Sequence, residues 1–199
     1  MASIEFIFLG ARNEPIPALI RPLILIPDIL SWVTNWFPEM LGLAGSRLYE
    51  DSHWDVPSIW EEALGNDNYR VIAIEAEGII QGYTVVLVKN YLGIDGKPCA
   101  HVAFVAVAPW NRVVRGSRRK IKGIGKVLIA MSSLLSIKHT GSLILELHSL
   151  PDAEGFYHHI GMRETGRYSK QGLKEFRIEK PEALALIRPL LPSINKKEK

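Results

Sequence analysis

The segment from Cys99 to Met162 constrains the fold more than any other part of this 199-residue chain. Cys99-Ala-His-Val-Ala-Phe-Val-Ala-Val107 is an apolar, β-branched run that reads as a strand. It stops at Pro109, which has no N–H with which to continue a ladder. A basic loop follows and closes on Lys120-Ile-Lys-Gly-Ile-Gly125, and Lys126 to Lys138 then reads as a helix. Ser142-Leu-Ile-Leu-Glu-Leu-His148 supplies another strand, and Pro151 opens a helix that carries Tyr157. Alternation of strand and helix at this spacing builds an α/β sheet.

The glycines of this segment have a chemical use. Gly123 and Gly125 lack a Cβ, so the backbone there can approach an oxygen-rich ligand closely. The first turn of the following helix offers unpaired N–H groups and the positive end of its dipole, which together seat a diphosphate. Lys122, Lys126 and Arg118 or Arg119 can answer the remaining charge. The plainer alternative is a glycine-rich helix start with no ligand. Two phosphate motifs fail on counting. Gly125-Lys126 is followed by Val127, and Lys120 stands where a Walker loop needs glycine. Leu128 stands where a dinucleotide fingerprint needs its third glycine.

Charge supports a local anion site. Net charge is only +3, yet seven basic residues and no acid lie between Arg112 and Lys126. Without them, 17 basic residues face 21 acidic ones, which argues against a general nucleic-acid coating. Cys99 is the single cysteine, so a disulfide framework and a cysteine-rich metal site are excluded and a reducing, cytoplasmic setting is expected. Met1-Ala-Ser-Ile-Glu-Phe shows no cleavable signal. Ile16 to Phe37 is apolar, but Arg21, Asp28 and three prolines interrupt it, so a membrane span, which wants about 20 apolar residues, is not expected. It reads as an arm that is buried or forms an interface, a homodimer contact being one option.

Elsewhere, Ile4 to Leu9 reads as a strand, and from Ala18 the chain reads as helical in pieces broken by proline. Asp55 to Leu64 has a helix start and amphipathic spacing. Tyr69 to Glu75 and Ile79 to Val88 form a hairpin across Glu77-Gly78. Asp95-Gly-Lys-Pro98 is a turn. Arg163 to Tyr168 and Gly172 to Ile178 form a second hairpin, and Pro181 begins a short helix. A mixed α/β sheet of six or seven strands in one domain, residues 1–199, is predicted. Residues 1–50 hold a strand and an apolar helical arm, 99–162 the cofactor-binding core, and 191–199 a flexible tail.

From Val102 to Met162 the pattern resembles the GNAT superfamily of N-acetyltransferases, over about a third of the chain. Val107-Ala-Pro109, Lys120-Ile-Lys-Gly-Ile-Gly125 and Ala153-Glu-Gly-Phe-Tyr-His-His-Ile-Gly-Met162 are similar to its strand end, its phosphate loop and its tyrosine-bearing helix. The departures are Lys120 for arginine or glutamine, a longer loop from Pro109 to Lys120, Leu150 for a frequent asparagine, and Met162 for phenylalanine. The resemblance implies a mostly antiparallel sheet flanked by helices, acetyl-coenzyme A as cosubstrate, no metal, and direct transfer of the acetyl group to an amine-bearing acceptor. It implies that coenzyme A lies against backbone at Val105, Ala106 and Val107. Its diphosphate would rest on Lys120, Ile121, Lys122, Gly123, Ile124, Gly125 and Lys126. Tyr157 takes the place of the acid that protonates the departing thiolate, as a phenol with a pKa near 10 can; a core tyrosine is the alternative. Glu146 is similar to the base of one branch, with His148 a rival on the same strand face and a solvent-facing glutamate the bland reading. A non-catalytic acyl-coenzyme A sensor is the alternative function.

Three further groups carry weaker signals. Nothing beside Cys99 activates it as a nucleophile. His158 and His159 diverge on a helix and cannot share a metal. Trp32, Trp36, Trp54 and Trp60, with His53, Asp51 and Asp55, suit either core packing or the wall of an amine pocket.

Overall fold

The computed structural model describes residues 3–41, 50–112 and 120–191. Nine strands form one sheet: β1 (Ile4–Gly10), β2 (Pro15–Pro22), β3 (Tyr69–Ala76), β4 (Ile79–Leu87), β5 (Ala100–Val107), β6 (Ile121–Lys122), β7 (Leu145–Ser149), β8 (Arg163–Tyr168) and β9 (Lys174–Ile178). Their order is β6-β1-β2-β3-β4-β5-β7-β9-β8, and only β5 and β7 run parallel. The helices are α1 (Leu25–Ser31), α2 (Phe37–Leu41), α3 (Val56–Leu64), α4 (Ile124–Thr140), α5 (Glu154–His159) and α6 (Lys180–Ile187). A single π turn, Trp32–Trp36, joins α1 to α2.

The sheet exceeds the expected six or seven strands because two pairings outweigh local sequence. Pro15–Pro22 is a strand, not the start of the helical arm: Ala18 and Ile20 point into the core, between β1 and β3. Pro15 and Pro17 are tolerated because β3 pairs only from Ala18 to Pro22, so both lie beyond β3. The second addition is β6, which pairs Lys122 with Leu9 and Ile121 with Gly10. This fastens the start of the phosphate-loop sequence to the sheet edge.

The two charges that interrupt the apolar arm are each other's partners. Arg21 donates to both carboxylate oxygens of Asp28 at 2.8 and 2.6 Å and to Glu75 at 2.7 Å. Asp28 also accepts the Ile24 N–H at 2.6 Å, tying down the start of α1. Trp32 and Trp36, four residues apart, face the core, whereas Ile26, Leu30, Val33 and Phe37 line an exposed stripe. Among the described residues no helix is long and apolar enough to cross a membrane.

Each face of the sheet has its own core. α4 and α6 cover one face over Ile72, Ile74, Val86, Val102, Leu145 and Phe176. α1, the π turn and α3 cover Val71, Ala73, Tyr83, Val85 and Ala106 on the other. On that second face, the stretch from β5 to β9 carries polar groups instead: His101, Glu146, His148, Glu175 and Arg177.

Candidate active site

Between β5 and β7 the sheet opens. Bonding runs only from Ala100–Leu145 to Val102–Leu147, although β5 continues to Val107 and β7 to Ser149. A register shift opposite Val85 and Val86 leaves Ala103 as an extra residue on β5, just where the pairing ends. Such a bulge raises local twist and turns a strand away from its neighbour. Ala108 donates its N–H to Gln81 of β4 at 2.9 Å. Backbone direction alternates along a strand, so Ala106 also faces β4 while Val105 and Val107 turn their polar groups to the gap.

The end of β5 is held by residues whose purpose the sequence did not disclose. Arg112 donates to the Val107 carbonyl at 2.6 Å and grips Asp51 through two bonds of 2.6 and 2.7 Å. Asn111 donates to Gln81 and accepts the Ile121 N–H, both at 2.8 Å, and Trp110 also donates to Gln81 at 2.8 Å. Trp110-Asn-Arg112 is therefore a clasp that joins the strand end to the phosphate-loop sequence. Asp51, held by Arg112, and Asp55, which caps α3 through Ser58, are both engaged in structure. Trp36 and Trp60 are core residues, and Trp54 packs edge-on against Phe104.

α4 begins at Gly123, whose φ of 89° lies in the left-handed region that favours glycine. Among the described residues no side chain caps the helix, and none lies within 4 Å of where a Cβ at Gly123 would stand. The first-turn N–H groups of this 17-residue helix thus have no capping side chain among the described residues, the condition an anion seat requires. Gly125 has a different reason to be glycine: a Cβ there would lie 2.9 Å from the Phe156 ring. Of the two glycines, Gly123 is the one whose Cβ direction is open, while Gly125 lies against the Phe156 ring. Lys120 and Lys126 are exposed, with Lys120 5.4 Å from the Trp110 ring, and Lys122 donates to Asn13 at 3.0 Å. Ile124 is buried in the core. Arg118 and Arg119 lie outside the described residues.

Tyr157 stands on α5, buried among Phe156 and Phe176 at ring distances of 5.3 and 5.6 Å. Burial pushes its phenol well above the usual tyrosine range, so it holds its proton. Among the described residues none hydrogen-bonds its hydroxyl.

The two candidate bases occupy different settings. Glu146 is fully buried and takes bonds from Arg177 at 2.8 Å, the Ile94 N–H at 3.0 Å and the Tyr91 hydroxyl at 3.0 Å. The solvent-facing reading is overturned. The carboxylate also drives the Tyr91 phenol upward, after burial itself. His148 is the first β7 residue past the last β5 pairing, and its side chain is 27% exposed. Its Nδ1 lies 3.2 Å from Nε2 of His101 and its Nε2 lies 3.9 Å from Glu175. Burial, and then His148, push His101 down to about 4, so His101 is neutral at physiological pH. Cys99 is buried, and burial pushes its thiol up to about 12, the reverse of activation. His158 pairs with Glu164 at 3.1 Å.

No protein-family model matches the chain, and neither does any curated protein. Solved structures do. The GNAT domain of S. lividans PAT superposes with a TM-score of 0.59 at 14% identity, covering 88% of this chain and 97% of that one. The PaiA N-acetyltransferase of Thermoplasma acidophilum, solved with coenzyme A, gives 0.55 at 14% identity over 82% and 99%. An acetyltransferase of the GNAT family from Listeria monocytogenes gives 0.56 at 15% identity over 83% and 96%. The parted strands, the glycine-started helix and the tyrosine-bearing helix are thus set in the fold of the GNAT N-acetyltransferases.

Proposed function

We propose that this protein transfers an acetyl group from acetyl-coenzyme A directly to an amine. The observation that carries the reading is the gap between β5 and β7, in a sheet whose covering helix α4 starts at a left-handed Gly123 with no side-chain cap among the described residues, together with the buried Tyr157 of α5. These features fit a long thioester carrier. Gly123 and the first turn of α4 would hold the diphosphate, with Lys120, Lys122 and Lys126 at its edge, and the free backbone groups of Val105 and Val107 would flank the pantetheine arm. The Val107 carbonyl is already engaged by Arg112, which leaves its N–H and both groups of Val105.

Acetyl-coenzyme A supplies the acyl group as a thioester, whose C–S bond breaks as the amine nitrogen bonds to the carbonyl carbon. A backbone N–H from Val105 or Val107 polarises that carbonyl. Tyr157 gives its proton to the leaving sulfur. His148 takes the proton lost by the amine, either directly or through one water, because its partly exposed ring follows the last β5–β7 pairing. Glu146 we assign to structure: its oxygens already accept three bonds, one from a guanidinium.

Thermal denaturation with and without acetyl-coenzyme A tests the binding step. At a hundred times its dissociation constant the ligand stabilises by about 2.7 kcal/mol. Release of free thiol across a panel of amines then separates an enzyme from a protein that only senses acyl-coenzyme A. Absence of any shift at millimolar cofactor refutes the reading.

A further inference from the structure

We infer that His101 is a positioning residue for His148, accepting its Nδ1–H so that Nε2 remains as the basic nitrogen, with Glu175 as the counter-charge beside it. The inference rests on the acetyl-transfer reading and deepens it at the acceptor side of the same site.

The geometry leaves two ways to share a proton across the 3.2 Å contact between His101 Nε2 and His148 Nδ1. With His101 as donor, Nδ1 of His148 is the acceptor and Nε2 carries the hydrogen, so no basic nitrogen is left exposed. With His148 as donor, Nε2 is free, and the bond persists after Nε2 gains a proton. Only the second arrangement serves a base. It requires a partner that stays neutral, and His101 meets that condition because it is buried between β5 and the ring of Tyr91, 4.8 Å away. A neutral imidazole accepts from both the neutral and the charged form of His148.

Glu175 completes the arrangement. It is 1% exposed, is held by Thr165 at 2.7 Å, and directs its other oxygen toward His148 Nε2. The remaining charges around the pair largely cancel. Glu146 of β7 is matched by Arg177 of β9, which also binds Asp95, and Arg167 of β8 lies 3.7 Å from Glu175. Tyr91 stays protonated, donating to Glu146. Glu175 therefore faces a new positive charge on His148 through the oxygen that also meets the Tyr91 hydroxyl at 3.5 Å, while the half-exposed Arg167 lies against its other oxygen.

Long-range proton–nitrogen spectra of the full chain, labelled at the histidine rings and assigned against His148→Gln, test this without any assay of turnover. The expected result is a pyrrole-type Nδ1 and a pyridine-type Nε2 on His148 at pH 8; a pyridine-type Nδ1 overturns the inference. In kinetics, His101→Phe should lower kcat/KM for the amine by about tenfold with acetyl-coenzyme A affinity unchanged. His101→Gln, whose amide oxygen can still accept, should recover to within roughly threefold of the parent. A phenylalanine variant equal to the parent, or a glutamine variant as slow as the phenylalanine one, overturns it as well. Should His101→Phe not fold, the spectrum of the parent protein still decides. Failure of the parent to bind acetyl-coenzyme A counts against the acetyl-transfer reading and leaves the tautomer result standing by itself.

Discussion

Replacing Arg177 by leucine isolates the interaction that most strongly shapes the polar face. Glu146 is fully buried, and Arg177 is the cation that touches it, at 2.8 Å. Removal of one partner from a buried ion pair costs about 3–5 kcal/mol, because the other charge stays desolvated. The Tyr91 hydroxyl and the Ile94 N–H still donate to Glu146, so the lower end, about 3 kcal/mol, is expected. For a chain of this size that corresponds to a fall of roughly 6–12 °C in Tm. The double variant Glu146→Leu/Arg177→Leu should recover most of the loss, giving a coupling of at least about 2 kcal/mol in urea unfolding with an unchanged m-value. A single-variant cost below about 1 kcal/mol, or simple additivity, would refute the assignment. The same reasoning bears on catalysis. Glu146→Gln, assayed well below its melting temperature, should keep turnover within roughly fivefold of the parent, whereas loss of a general base costs about 10²–10⁴-fold.

Tyr157→Phe should lower turnover at least about tenfold with cofactor affinity nearly intact, and unchanged turnover would remove Tyr157 from the mechanism. Gly123→Ala forces an L side chain to φ 89°, at a cost of about 1–2 kcal/mol, and should weaken acetyl-coenzyme A at least about tenfold by isothermal titration. The pH dependence of stability has a defined sign. His101 is held down to about 4 when folded, against about 6.5 unfolded, so below pH 6.5 the unfolded chain binds the extra proton. Stability from this group is therefore complete above pH 6.5 and falls by about 3 kcal/mol as pH drops to 4. His101→Gln should flatten that slope; an equally steep profile in the variant would point to other groups.

Much of this was legible in the residues, and what was not has a physical cause. The strand–loop–helix–strand–helix order from Cys99 to Met162 could be read because each element is local: turns, caps and periodicity lie within a few residues. β2 was missed because its strand character comes from pairing with β1 and β3, while its prolines signal a break. Residues Ile121–Lys122 were read as loop for the same reason, since their partner Gly10 lies 111 positions away. Alternation along β7 did put Glu146 and His148 on one face, but it could not tell a paired carboxylate from a free one. That depends on Arg177 and Tyr91, which reach the site from β9 and from the chain after β4. Gly125 shows the converse: a glycine that fits a ligand motif is needed for the Phe156 ring.

The division between the faces of the sheet explains why one gap can serve two chemistries. On the face covered by α4, the core is mostly apolar, with Thr84 and Ser132 bonded to each other, and in the proposed reaction the proton donor Tyr157 is kept neutral by burial. On the opposite face, the helical arm and α3 cover β3 and β4 but leave the surface from β5 to β9 polar. There His148, the proposed proton acceptor, is partly exposed and faces a buried carboxylate. Under the proposed mechanism, donor and acceptor would thus be separated by the sheet itself and meet where the pairing of β5 and β7 ends. A protein in which the proton passed from amine to sulfur along a single face would have no need of that separation. Closing the gap by a disulfide between residues engineered on β5 and β7 beyond Val102 and Leu147 should therefore abolish transfer while leaving the His101–His148 contact in place.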